Sequence, residues 1–180
     1  MADGRESRTR LHQGTWAETE SYLERPFPTT TGPDPVELGS IRRRLEVLEW
    51  DCPLHTDRAA AVRHGYGDVI APATMLGTYA MPAYWQPGDP PLYQQQTAKL
   101  PPLYLENIPA PGERMSATDW SIHVYRYLEV NDRVSSTTRL VDINRKRTRL
   151  GDGAFLTIET VYTDHRGGPV GRTRLTVFRF

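Results

Sequence analysis

The side chains best able to do chemistry crowd between positions 51 and 64. Asp51, Cys52, His55, Asp57 and His64 bring carboxylate, thiol and imidazole groups into one short stretch. An imidazole close to a carboxylate can pass protons at neutral pH, which makes His55 with Asp51 the candidate acid–base pair. The plainer reading makes His55 a loop histidine bonded to backbone, and Asp51 a turn-former ahead of Cys52-Pro53. Asp57 suits a helix cap better than a substrate contact. Cys52 is the only cysteine in the chain. Nothing beside it marks a lowered thiol pKa, so it reads as packing and not as a nucleophile. The spacing of His55, Asp57 and His64 fits no compact ligand set, so no metal is expected.

These residues sit among elements that the sequence outlines. A helix is expected to open at Asp34-Pro35, with Asp34 as cap and Ile41, Leu45 and Leu48 at helical spacing, and to end at Asp51 to Pro53. A short helix follows over about 57–63. The segment ATMLGTYAM, residues 73–81, is apolar or small on every side and lies between Pro72 and Pro82. Such a segment reads as one buried helix of about ten residues, with Ala73, Gly77 and Ala80 allowing a sheet to approach. Residues 82–111 contain eight prolines and read as a long loop with no regular structure, whose Tyr84, Trp85 and Tyr93 line a pocket or pin the loop. From Trp120 the pattern turns to strands: WSIHVYRY, RVSSTTRLVDI, AFLTIETVYT and PVGRTRLTVFRF, joined by turns at Asn131-Asp132, Gly151 to Gly153 and Asp164 to Gly168. Trp120, Ile122 and Val124 share one face of the first strand, and His123 is expected on its polar side. Helices first and an antiparallel meander after them make an α+β fold.

With 180 residues the chain can build one sizeable core. Its 22 basic and 22 acidic side chains cancel, so no global field favours nucleic acid or an anionic membrane. A lone cysteine forbids an internal disulfide, and no apolar run reaches the length of a membrane helix. Residues 1–33 are polar, lack the apolar stretch of a signal peptide, and read as a flexible lead-in to a domain over 34–180. A soluble cytoplasmic protein is the expectation.

Two stretches carry a family resemblance. IRRRLEVLEWDCPLHTDRAAAVRHGYGDVIAPATML, residues 41–76, resembles the signature region of MaoC-type hydratases. The likeness is greatest to their dehydratase N-terminal branch, related to fungal fatty acid synthase dehydratase. Ile70-Ala71-Pro72-Ala73-Thr74-Met75 matches the branch's "iAPpTm", which opens the central helix. RKRTRLGDGAFLTIETVYTDHRGGPVGRTRLTVFRF matches its hairpin. Tyr125 to Leu128 with Asn131-Asp132 stands where the family often has "rP...GD". The resemblance covers about residues 35–180 and implies a hotdog fold, in which an antiparallel sheet wraps a buried central helix.

The resemblance also implies a reaction. Relatives add water to an α,β-unsaturated acyl thioester or remove it from a 3-hydroxyacyl thioester, carried by coenzyme A or acyl carrier protein. A proton-transfer pair handles water and the α-proton, and backbone amides hold the thioester oxygen as enolate charge develops. Those amides would come from the helix start at Ala71 to Thr74, after Pro72, which has no N–H. Thr78 would hydrogen-bond near the acyl group or, equally, back to its own helix backbone. In active relatives the pair is the Asp and His of D-x-N-P-x-H. Laid over Pro53-Leu54-His55, the histidine is kept as His55, but the Asp position falls on Trp50 and the Asn position on Cys52. Asp51 lies one residue away, which in a helix end turns a side chain by roughly 100°. The expected catalytic residues are therefore His55 and Asp51, and the expected substrate contacts Trp50, Ala73, Thr74 and Thr78. No cofactor is expected.

Trp50 at the acid position opens two further readings. In one, the chain is the non-catalytic subunit of a heteromeric hydratase. In the other, it is a biosynthetic tailoring protein that keeps the pocket but changes the reaction on a polyketide-like intermediate. Either way a single hotdog leaves a sheet edge unpaired, so a homodimer or a heterodimer with a second hotdog is expected, with the acyl pocket at the interface.

Overall fold

The structure, a computed structural model, describes residues 11–91 and 104–180. Three long strands rich in β-branched residues form its frame: β3 (Val134–Thr148), β4 (Gly151–Asp164) and β5 (Pro169–Arg179). They run as an antiparallel meander, as the turn residues require. β2 (Met115–Val124) precedes them in the chain yet pairs with β5, and a two-residue β1 (Thr30–Thr31) pairs with β3. The order is β1-β3-β4-β5-β2, all antiparallel. β2 starts five residues before the expected Trp120 and stops at Val124, short of Tyr127. Asn131 takes the positive φ of 75° foreseen for its turn.

The central segment departs from expectation. Residues 73–81 form two 3₁₀ turns, Ala73–Met75 and Thr78–Ala80, in place of one helix. Between Pro72 and Pro82, Gly77 with β-branched Thr74 and Thr78 weakens a continuous α-helix. The tighter i to i+3 bonds, Met75 N–H to Pro72 O and Ala80 N–H to Gly77 O, take over. Nor is the segment buried all round. Met75, Leu76, Tyr79 and Ala80 pack on the sheet, while Thr74 and Thr78 face outward and are exposed.

Two hydrophobic cores cover the concave face. One joins the central segment to α2 (Leu38–Leu48) through Ile41, Leu45, Met75, Leu76, Val134 and Tyr162. The other gathers Leu140, Leu156 and Val177 under Leu105 and Ile108. Leu105 belongs to α4 (Tyr104–Asn107), a short helix within the proline-rich stretch expected to have none. Tyr93 lies outside the described residues.

The segment 11–33 is also no loose lead-in. α1 (Trp16–Glu20) opens with a capping box between Thr15 and Glu18, and Trp16 packs on the second core. His12 N–H bonds Glu106 O at 2.9 Å, and the buried Arg179 donates to the carbonyls of His12 and Ala110. Farther on, Gly32 N–H bonds Val134 O, and the Gly32 backbone lies so near the central segment that a Cβ there would sit 1.8 Å from Tyr79 O. Gly32→Ala must push backbone from backbone. It is expected to cost about 2 kcal/mol or more in urea unfolding, whereas the unobstructed Gly39→Ala within α2 should cost nothing or stabilise slightly.

Asp34 does not cap α2. The helix begins at Leu38 with Glu37 as an N-cap that makes no side-chain bond. α3 (Arg58–Arg63) does follow the expected pattern, with the Asp57 carboxylate accepting from Ala59 N–H at 2.8 Å.

Candidate active site

α2 ends in a way that aims the residues after it. Glu49 adopts the left-handed conformation (φ 49°), and Trp50 N–H returns to Leu45 O at 3.2 Å. The chain then turns through Asp51-Cys52 into a single 3₁₀ turn, Pro53–His55, closed by Thr56 N–H to Pro53 O. Residues 69–71 run beside it. Ile70 N–H donates to Leu54 O, and Ile70 O faces the His55 ring.

His55 is buried, and its Nδ1 stands 2.8 Å from Ile70 O. A carbonyl oxygen only accepts, so Nδ1 carries the proton and donates. In the neutral ring this leaves the lone pair on Nε2, the arrangement of an oriented general base. The ring meets Trp50, not a carboxylate: the two centroids are 4.9 Å apart with the planes at 63°. Trp50 is 46 % exposed, so it forms the outer cover over His55. Asp51 is exposed, and among the described residues no hydrogen bond or ion pair joins it to His55. Cys52 is half-buried, and His64 Nδ1 lies 2.9 Å from Ala60 O. The structure thus unites Trp50 with His55 and leaves Asp51 apart.

The start of the central segment is held from the other side. Ala71 N–H donates to Leu128 O at 2.7 Å, and Val130 N–H to Val69 O. Because the turn's own bonds begin at Met75 N–H, the amides of Ala73 and Thr74 are not used by the turn itself. Ala73 lines a narrow pit with Pro72, Leu76, Val124 and Arg126. Thr74 and Thr78 line neither this pit nor the larger groove described next, and their exposure turns them towards whatever covers this face.

Arg126 fixes the loop that carries Leu128. Its guanidinium bonds Asp132 at 2.7 and 3.2 Å and Asp164 at 2.9 Å, and also reaches Tyr127 O. Asp132 accepts from Glu129 N–H, and Asp164 from the amides of Arg166 and Gly168. The Arg126 guanidinium holds the Asp164 carboxyl below the usual carboxylate range. Asp132 was legible in the sequence only as part of a turn, and Asp164 only as the start of another. Their meeting on Arg126 needs the sheet to bring residues far apart in sequence together.

A wider opening lies elsewhere. A groove of about 820 Å³, counted to its open mouth, runs along the concave face beside Gly77, Ala80 and Pro82, and neither His55 nor Asp51 lines it. Its floor is Thr138, Thr160, Thr173 and Tyr162, with Trp120 at one side. Sequence reasoning missed these residues, although the alternation Ala154, Leu156, Ile158, Thr160, Tyr162 along β4 already puts Thr160 on the inner face.

Comparison with known proteins narrows the reading. The profile of the FAS1-like dehydratase domain region matches residues 26–173. A protein of Thermomonospora curvata named as a probable enoyl-CoA hydratase alpha subunit is 31 % identical over 150 residues, which is 83 % of this chain and 46 % of that protein. This chain therefore spans about half the length of that relative. Among solved structures, the ChsH1-ChsH2 complex from Mycobacterium tuberculosis superposes with a TM-score of 0.71 at 23 % identity, over 92 % of this chain and 90 % of the matched one. A MaoC-like dehydratase gives a TM-score of 0.61 at 18 % identity, over 90 % of this chain and 43 % of that one. No helix among the described residues is long and apolar enough to cross a membrane.

Proposed function

This chain belongs to the FAS1-like dehydratase family and has its hotdog fold, and we propose that it serves as the acyl-binding hotdog of a paired enoyl-thioester hydratase or dehydratase. The thioester is carried by coenzyme A or acyl carrier protein. Its carbonyl oxygen lies against the amides of Ala73 and Thr74, where enolate charge would develop. Hydration needs a base to take a proton from water as oxygen bonds to the β-carbon, and an acid to return a proton to the α-carbon. Among the described residues, His55 is an oriented imidazole with no carboxylate bonded to it. The observation that carries the proposal is Trp50 packed on His55 where active relatives place an aspartate, with Asp51 exposed. The working acid–base pair is therefore assigned to a second hotdog chain. The alpha-subunit name of the relative and the two-chain title of the superposed complex support this assignment. A lone cysteine fits a reducing cytoplasm.

The second hotdog joins along β2. That strand is ten residues long, ends the sheet order with its outer edge unpaired among the described residues, and is exposed over most of its length. Unpaired edges of this length invite another strand. Exposed Thr74 and Thr78 then face the partner.

A second reading keeps catalysis in this chain, with His55 as base and Asp51 as acid in a homodimer. The Nδ1 bond to Ile70 O favours it, because it orients the ring as a base needs. Calorimetric titration with butyryl-coenzyme A, which cannot be hydrated, tests the binding role apart from chemistry. Saturable binding to the purified chain is expected. Absence of binding at millimolar thioester contradicts the proposal.

A further inference from the structure

Between the two cores, the concave face of the sheet carries a row of threonines. Thr138 pairs with Thr160 across β3 and β4, and Thr160 with Thr173 across β4 and β5. The next row, Leu140, Ile158 and Leu175, is wholly apolar. Thr138 and Thr173 are buried, and all three threonines floor the groove beside Gly77 and Ala80. Valine has the same shape and suits a strand equally well, so packing alone does not call for three hydroxyls there.

The hydroxyls meet in two pairs, Thr138 with Thr160 at 2.8 Å and Tyr162 with Thr173 at 3.2 Å. A bond between two hydroxyls uses one of their two protons, so each pair keeps one more O–H than its internal bond consumes. In a recess flanked by Leu175 and Ile158, such donors favour a ligand that brings acceptors with it. The groove also lies along the path of an acyl chain. The pit at Ala73 faces Val124, and the groove at Gly77 to Ala80 faces Trp120, four residues back along the same face of β2. A 3₁₀ rise of about 2 Å per residue puts Gly77 and Ala80 roughly 8 and 14 Å beyond Ala73.

We propose that this groove holds the distal part of the acyl group and selects chains bearing an oxygen substituent, which accepts from the threonine–tyrosine hydroxyls. The proposal rests on the reading of this chain as an acyl-thioester binder and adds its substrate class. Two saturated probes separate the two. Decanoyl-coenzyme A and ω-hydroxydecanoyl-coenzyme A are titrated against the whole chain, with Trp120 at the groove as part of the fluorescence signal. The hydroxylated probe is expected to bind roughly tenfold tighter, as one to two neutral hydrogen bonds would give. Combined Thr138→Val, Thr160→Val and Thr173→Val should reverse the preference while leaving the circular dichroism spectrum unchanged. Thr160→Val alone, which removes the central hydroxyl, should at least halve the preference and serves if the triple variant folds poorly. Equal binding of both probes, unaltered in the variants, overturns the oxygen selection and leaves acyl binding intact. Failure of both probes to bind overturns this proposal and the acyl-binding role together.

Discussion

Trp50→Asp is expected to raise hydration of crotonyl-coenzyme A by this chain roughly 100-fold, the lower end of what a positioned acid–base group contributes. The change removes the indole that covers His55 and puts a carboxylate five residues before it, the spacing of active relatives. His55 needs no adjustment, because Ile70 O already fixes its tautomer with Nε2 free. The residue is half-exposed and lies at the surface, so losing the indole gives up only the buried half of its area and the fold should survive. A double variant with His55→Ala should return the rate to its starting level. That separates a built dyad from mere opening of the pocket, since Trp50→Ala would open it without supplying a proton. No gain in Trp50→Asp, with binding retained, would show that the backbone around residue 50 cannot present an acid to the bound acyl group.

Arg126→Leu is expected to destabilise the chain by about 2–3 kcal/mol in urea unfolding. Two carboxylates, Asp132 and Asp164, share this one guanidinium, with side chains only 14 % and 13 % exposed. Removing the cation leaves both facing each other with amide donors alone. Loss of one partner from a buried pair costs about 3–5 kcal/mol, reduced here because Arg126 itself is 38 % exposed. The same cluster sets a pH dependence. The folded pKa of Asp164 lies below its unfolded value, so the unfolded state binds a proton first as pH falls. Its contribution is complete above the ordinary aspartate value and fades as pH drops through the folded one. Acid unfolding of Arg126→Leu should therefore be shallower in this range than that of the parent. Binding should suffer too, because the Arg126 loop supplies Leu128 O to Ala71 N–H at the start of the central segment.

The strands were legible because each local signal agreed with the sheet. β-branched runs, positive-φ turn residues and the alternation along β4 all say the same thing. The central segment was legible as buried and bounded, but not in its form. Composition cannot weigh Gly77 and two prolines against nine residues of helix, nor show that Thr74 and Thr78 face away from the sheet. The N-terminal segment was misjudged for a related reason. Its anchors are a glycine under Tyr79 and an arginine at the last strand's end, contacts between residues far apart in the chain. At the site, the sequence set Trp50 at the expected acid position, and the structure packs its ring against His55. Whether Asp51 could stand in for the missing acid depended on the left-handed turn at Glu49, which no pattern in that stretch announces.

Division of labour between two hotdogs is tested by following loss of the enoyl absorbance of crotonyl-coenzyme A with the purified chain and with His55→Ala. The thioester should bind both proteins, and neither should hydrate it faster than buffer does. Rapid turnover by the unaltered chain, abolished in His55→Ala, would place the acid–base chemistry here and remove the need for a second chain to supply it.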